Sequence, residues 1–291
     1  MASLEVSIGD IILKNPVLLA SGPAGYGSEY SDFINLERLG GVVTKTISLR
    51  PKSGNTGRRL LETPSGLLNS VGLENVGAEH FFGKKLPELI SLGARPIVSL
   101  ACEGREEFLE LLKATSQNEA VDVVELNLSC PNVDEGGMAV GVSPEHLRWY
   151  ISKAKEALGG PAVVAKLTPN VGDIKALAKV CEQAGADGIT AINTLLGMDI
   201  DPDTARPLFD RGVAGLSGPA IMPVALRAVY EISREVEIPV LGSGGISSVN
   251  DARKFFAAGA ASVQIGTAIF YDPGLPERII EYLQNMEAST E

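Results

Sequence analysis

Cysteine and histidine are scarce in this 291-residue chain. Its three cysteines, Cys102, Cys130 and Cys181, lie far apart, and its only histidines are His80 and His146. An odd, scattered set of thiols excludes a disulfide framework and leaves too few clustered ligands for an iron–sulfur centre held by this chain alone. Two distant histidines argue against a histidine metal site or a Ser-His-Asp triad. Positive charge is short as well: 25 Lys and Arg against 36 Asp and Glu leave a formal net charge of −11. Nucleic acid and anionic membrane surfaces, whose phosphates call for basic stripes, are poor partners for such a chain. Long apolar runs are also missing. The run Ile11 to Ala20 is broken by Lys14, Asn15 and Pro16 and has no basic leader. Neither a signal peptide nor a membrane span is expected, and the expected location is cytoplasmic.

What is present is a regular alternation. Apolar residues make up 45% of the chain, and short runs rich in Val, Ile and Leu recur between amphipathic stretches. Strands are expected at Val17–Ala20, Val42–Thr44, Ile97–Leu100, Val123–Asn127, Val163–Lys166, Gly188–Ile192, Val240–Gly242 and Ser262–Ile265. They are apolar nearly throughout, as in parallel strands covered on both faces. Helices are expected in "SEYSDFINLERLG", "REEFLELLKATSQN", "SPEHLRWYISKAKEALGG", "GDIKALAKVCEQAGADG", "GPAIMPVALRAVYEISREV", "SSVNDARKFFAAGA" and "LPERIIEYLQNM". Ser143 followed by Pro144 marks one helix start, and the glycine of Ala-Gly-Ala marks two helix ends. The pattern predicts a single TIM-type (β/α)8 barrel domain over 1–291, with "LEVSIGDIILKN" as an N-terminal hairpin plugging its bottom. Three connections, Ser48–Gly77, Pro131–Val142 and Thr194–Ser217, are too long for simple turns. All follow strands, so all belong to the catalytic face.

Polar residues collect at the carboxyl ends of these strands. Strand one leads to Ser21, strand two to Lys45-Thr46, and strand four to Asn127 and Cys130. Strand five ends at Lys166, six at Asn193-Thr194, seven at Gly244-Gly245 and eight at Gly266-Thr267. A single lysine at a strand end is weak evidence, because such side chains often snorkel or pair structurally. Two lysines, two asparagines and a thiol converging on one mouth are stronger. "GSGG" alone reads as a tight turn. Beside "IGT" on the next strand it reads as the phosphate corner common to barrels. FMN suits such a corner, with a lysine near its ring; Lys166 is the candidate for that role. Pairing of Lys166 with Glu125, which shares a strand face with Asn127, is the structural alternative and is compatible with it.

The stretch "VVELNLSCPNVDEGG" begins as a strand, carries an amide, a thiol and a second amide, and ends in glycines. For Cys181, mid-helix, burial as an inert thiol is the better reading, and Cys102 leans the same way. Cys130 sits between a strand end and a Pro-Asn turn, on a loop whose Gly136, Gly137 and Gly141 are candidate hinges for closure over a substrate.

"NLSCPNV", "LLNSVGLEN", "INTLLGMDID", "GLSGPAIMPVALRAVYE" and "GSGGISS" resemble, in collinear order over nearly the whole chain, the class 1 dihydroorotate dehydrogenases, most of all the NAD-linked class 1B. The resemblance implies an FMN-carrying catalytic subunit that oxidises dihydroorotate to orotate, with Cys130 as general base. It implies orotate contacts from Lys45, Asn69, Ser70, Val71, Gly72, Leu73, Asn127, Asn193 and Thr194, with Asn132 added. It implies FMN contacts from Ser21, Lys45, Thr46, Asn127, Lys166, Ile192, Gly218, Gly244, Gly245, Gly266 and Thr267. Ser99 stands where the family generally places an asparagine against the flavin, and Cys102-Glu103 where smaller residues are usual, so the tuning of the flavin is left open. A partner subunit carrying FAD and a [2Fe-2S] cluster, NAD as final acceptor, and a homodimer core within a heterotetramer are implied in the same way.

Other readings stay open on the sequence. A fumarate-using class 1A enzyme is disfavoured by "NTLLGMDID", and a dihydropyrimidine dehydrogenase-like flavoenzyme by "PNV" and "NSVGLEN". A non-redox barrel using Lys166 as a Schiff base would purify colourless. A non-catalytic barrel would leave any flavin unreduced by substrate.

Overall fold

The N-terminal residues Val6–Ile8 and Ile11–Leu13 pair antiparallel into the expected hairpin. Its inward residues, Ile8 and Leu13, are fully buried in an apolar cluster with Leu18, Val43, Ile97, Val123, Val164 and Leu241. Those partners come from six different barrel strands, so the hairpin closes the bottom of the barrel as the sequence suggests. The computed structural model describes residues 4–102, 104–129 and 143–288.

The barrel strands are Val17–Leu19, Gly41–Val43, Pro96–Ala101, Val123–Asn127, Ala162–Leu167, Gly188–Ala191, Val240–Ser243 and Ser262–Ile265, numbered one to eight here. Each pairs in parallel with its sequence neighbours, and strand eight pairs with strand one to close the ring. All lie within a residue or two of the expected ranges. The central residues of these strands are buried without alternation, because helices cover the outside and side chains fill the lumen.

The helix after strand four runs Pro144–Leu158 and is capped as expected, Ser143 Oγ accepting from the His146 amide. The helices Arg105–Ser116, Ile174–Gln183, Met222–Ile232, Val249–Ala257 and Leu275–Ala288 match five of the six remaining expectations. One does not. "SEYSDFINLERLG" forms only two short 3-10 turns, Ser28–Tyr30 and Leu36–Arg38. Tertiary bonds win there: the Asn35 amide donates to Glu277 of the last helix at 3.0 Å, and Asn35 is held extended. A helical segment over Gly77–His80, Phe81–Lys85 and Leu86–Ser91 covers strand three instead, and Gly83 and Pro87 mask its pattern in the sequence.

Two of the long connections are not loops. Leu60–Thr63, Gly66–Asn69, Ala214–Ser217 and Leu195–Gly197 form a four-stranded antiparallel sheet beside the mouth of the barrel, with Asn69 opposite Gly215. No helix among the described residues is long and apolar enough to cross a membrane.

Candidate active site

The carboxyl ends of the strands open into a cavity of about 940 Å³. Of the described residues that the sequence singles out as contacts, all line it except Ser70 and Ser99. Cys130 and Asn132 lie outside the described residues. Ser70 is tied into the loop beside the cavity, its carbonyl and hydroxyl accepting from Asn55 Nδ2. Ser99 is fully buried one layer down, with its hydroxyl 2.9 Å from that of Thr46.

Thr46 is a hub. Its Oγ1 shares hydrogen bonds with Ser99 Oγ at 2.9 Å and Ser21 Oγ at 3.3 Å, and it accepts from Asn127 Nδ2 at 3.3 Å. Asn127 Oδ1 then accepts from Asn193 Nδ2 at 3.3 Å and from the Ser129 amide at 3.3 Å. Asn193 Oδ1 accepts from the Thr194 amide at 2.8 Å. The chain of donors fixes which way each amide points, and it leaves a spare N–H on each asparagine. Asn69 is held by donating to the Gly215 carbonyl across the added sheet at 3.0 Å.

Lys45 and Lys166 both line the cavity. Burial pulls the Lys45 ammonium below the usual lysine range, Glu74 opposes that shift, and the like charge of Lys166 adds to it. Lys166 Nζ stands 3.3 Å from Glu125 Oε1, so the structural pairing expected from the strand period is present. At the far corner, strands seven and eight supply Gly244, Gly245 and Gly266, and Thr267 Oγ1 donates to Ser217 Oγ at 2.9 Å. Cys102 and Cys181 are buried in the core, neither of them in a disulfide. Burial pushes the Cys181 thiol up to about 12, as suits an inert residue.

Sequence reasoning missed several wall residues. Tyr26, Glu29, Glu74 and Tyr271 all border the cavity. Glu74 adjoins the "NSVGL" segment and could have been found there. Tyr26 could not, because only the fold brings its hydroxyl to the Val76 amide, from which it accepts at 3.0 Å.

Fold and cavity define a (β/α)8-barrel protein whose site is built from lysines, asparagines and glycines at the carboxyl ends of its strands. The chain belongs to the dihydroorotate dehydrogenase family, whose model, described as "Dihydroorotate dehydrogenase", matches residues 3–286. It is 48% identical over 279 residues to the dihydroorotate dehydrogenase B (NAD(+)) catalytic subunit of Thermoanaerobacter sp. (strain X514), covering 96% of this chain and 92% of that protein. The protein of the same name from Bacteroides thetaiotaomicron is 42% identical over 285 residues, covering 98% of this chain and 94% of the relative. The crystal structure of DHODH in complex with ferulenol from Eimeria tenella superposes with a TM-score of 0.79 at 22% identity, over 99% of this chain and 85% of that one. That likeness concerns the fold.

Proposed function

We propose that the chain is the FMN-bearing catalytic subunit of an NAD-linked dihydroorotate dehydrogenase, a single barrel domain oxidising (S)-dihydroorotate to orotate in pyrimidine nucleotide synthesis. One observation carries the reading: a glycine-walled corner shares one cavity with Lys45, Lys166, Asn69, Asn127 and Asn193. The corner fits a phosphate. A Cβ at Gly245 would meet Met222 Cβ at 2.7 Å and the Gly218 carbonyl at 2.8 Å, so this turn can pack against the start of the helix Met222–Ile232 only without a side chain. The residues that would hold FMN are Ser21, Lys45, Thr46, Asn127, Lys166, Ile192, Gly218, Gly244, Gly245, Gly266 and Thr267, with Ser99 acting from behind Thr46. Bound there, FMN would supply hydride-accepting chemistry for C6 of the substrate.

The chain supplies the rest. Cys130 takes the proton from C5; an unperturbed thiol, with a pKa near about 8.5, already has some thiolate at neutral pH. Ser129, the residue before it, is anchored by donating from its amide to Asn127 Oδ1 at 3.3 Å. Asn69, Asn127, Asn193 and Thr194, with Asn132, orient the amide-rich ring by hydrogen bonds. Lys45 pairs with the substrate carboxylate, and the segment Asn69, Ser70, Val71, Gly72 and Leu73 closes that side. The name "catalytic subunit" borne by the relatives supports a second subunit. We assign to it FAD and a [2Fe-2S] cluster that pass electrons to NAD, around a homodimer of this chain.

The test is anaerobic addition of dihydroorotate to the purified protein. Stoichiometric FMN that bleaches with dihydroorotate and not with dihydrouracil is the expected result. A colourless protein would overturn the reading in favour of a non-redox barrel, and bleaching by dihydrouracil alone would favour a dihydropyrimidine enzyme.

A further inference from the structure

Four side chains from four barrel strands meet beneath the cavity floor, and only Lys166 reaches the cavity. Glu125, on strand four, is fully buried. Its Oε2 accepts from Thr190 Oγ1 of strand six at 2.7 Å and from Gln264 Nε2 of strand eight at 2.8 Å. Gln264 Nε2 also donates to Thr190 Oγ1 at 3.1 Å, so the two donors brace each other. The remaining oxygen, Oε1, faces the ammonium of Lys166 at 3.3 Å.

This is an unusual filling for a barrel lumen, which branched apolar side chains ordinarily occupy. A buried carboxylate is unfavourable unless it is paired and hydrogen-bonded. Pairing alone would require only the lysine, yet two further strands fix the orientation of the carboxylate. The lock matters because a lysine stem is flexible, and the field of its ammonium depends on where the nitrogen is held.

We propose that Glu125 is a positioning residue for the reaction: locked by Thr190 and Gln264, its carboxylate seats the Lys166 ammonium at the cavity floor and moderates the positive field that the bound flavin meets. The inference rests on the FMN reading above. Glu125 touches neither substrate nor cofactor and acts through the lysine. Replacing its charge by a neutral group of the same shape leaves the ammonium uncompensated, which would favour electrons added to a flavin held in this cavity.

The experiment compares FMN midpoint potentials in FMN-replete holoenzymes. In Glu125→Gln the potential rises, equivalent to reduced FMN binding roughly tenfold more tightly relative to oxidised FMN than in the parent, the scale of one partly compensated charge nearby. In a Lys166→Met background the same substitution shifts that ratio about twofold or less, because a buried carboxylate with no ammonium opposite it is not held as a charge and the substitution then removes none. A purely structural role would change thermal stability and leave the potential alone. An unchanged potential, or an equal shift with and without Lys166, overturns the proposal. If Glu125→Gln does not fold, Thr190→Val removes one lock while keeping both charges. It is expected to shift the potential in the parent and not in the Lys166→Met background, and no shift overturns the proposal. A parent protein that never takes up FMN would instead defeat the FMN reading itself.

Discussion

Asn193 donates from Nδ2 to Asn127 Oδ1 at 3.3 Å, so two amides from strands four and six share one orientation. Both amide oxygens are engaged within the protein and each side chain keeps one N–H unused in these bonds, which suits ring carbonyl acceptors on the substrate. Asn193→Ala removes one donor and loosens the other. We expect kcat/KM for dihydroorotate to fall about 10- to 100-fold, with FMN content unchanged. Steady-state kinetics with a flavin-to-protein ratio check this, and loss of flavin without loss of kcat/KM would contradict it.

Lys45 should give a distinctive pH dependence. Burial, and then Lys166, hold its folded-state pKa below the usual lysine value, against the pull of Glu74. The ammonium is therefore lost earlier on raising the pH than an ordinary lysine would lose it. KM for dihydroorotate should rise on the alkaline side, and Lys45→Gln should raise it at every pH and flatten the profile. For stability the sign is opposite. Between the lowered folded value and the normal unfolded one the unfolded chain binds more protons, so this group adds stability as pH rises through that window. Urea titrations of parent and Lys45→Gln measure the difference.

Cys130 as base predicts that flavin reduction by dihydroorotate accelerates with pH as the thiol ionises. Cys130→Ala should slow it about 10²- to 10⁴-fold. Cys181, whose buried thiol is pushed up to about 12, has no thiolate to offer, and Cys181→Ala should keep the parent's profile. Stopped-flow reduction across mildly acidic to alkaline pH decides it; a flat parent profile would remove Cys130 from the role.

Two glycines at the corner proposed to take the FMN phosphate should behave differently. Gly245 has φ 78° and no room, with Met222 Cβ 2.7 Å from a built Cβ. Gly245→Ala should cost at least about 1–2 kcal/mol from the backbone alone and abolish FMN binding. At Gly266 the nearest atom to a built Cβ is Ala20 Cβ at 3.4 Å, an ordinary contact. Gly266→Ala should fold normally and only weaken FMN affinity. Calorimetry and FMN titration of the two apoproteins separate the effects.

Leu13 is fully buried in the plug beneath the barrel. Leu13→Ala should destabilise the protein by about 2–5 kcal/mol. Because the plug sits at the opposite end from the mouth, KM should be unchanged at temperatures where the variant is folded. Urea unfolding beside kinetics checks both halves.

The eight barrel strands were legible because parallel strands buried on both faces must be continuous apolar runs, and Val123–Asn127 and Ser262–Ile265 fall where that pattern puts them. The helix expected over 28–40 was lost to a contact 242 residues away, Asn35 with Glu277, which no local pattern encodes. The four-stranded sheet beside the mouth was equally hidden. Its pairing of Asn69 with Gly215 joins two segments that each read as a long loop.

By itself the sequence determined the barrel, the polar strand ends and the family, because strand periodicity and local motifs are properties of neighbouring residues. Only the tertiary structure decided what those ends do to one another. It placed Ser99 behind Thr46 rather than on the wall, aimed the amides of Asn127 and Asn193, and gathered Glu125, Thr190 and Gln264 under Lys166. Hydrogen-bond direction and the field of a buried charge depend on distances between strands remote in sequence, and those distances exist only once the barrel has closed.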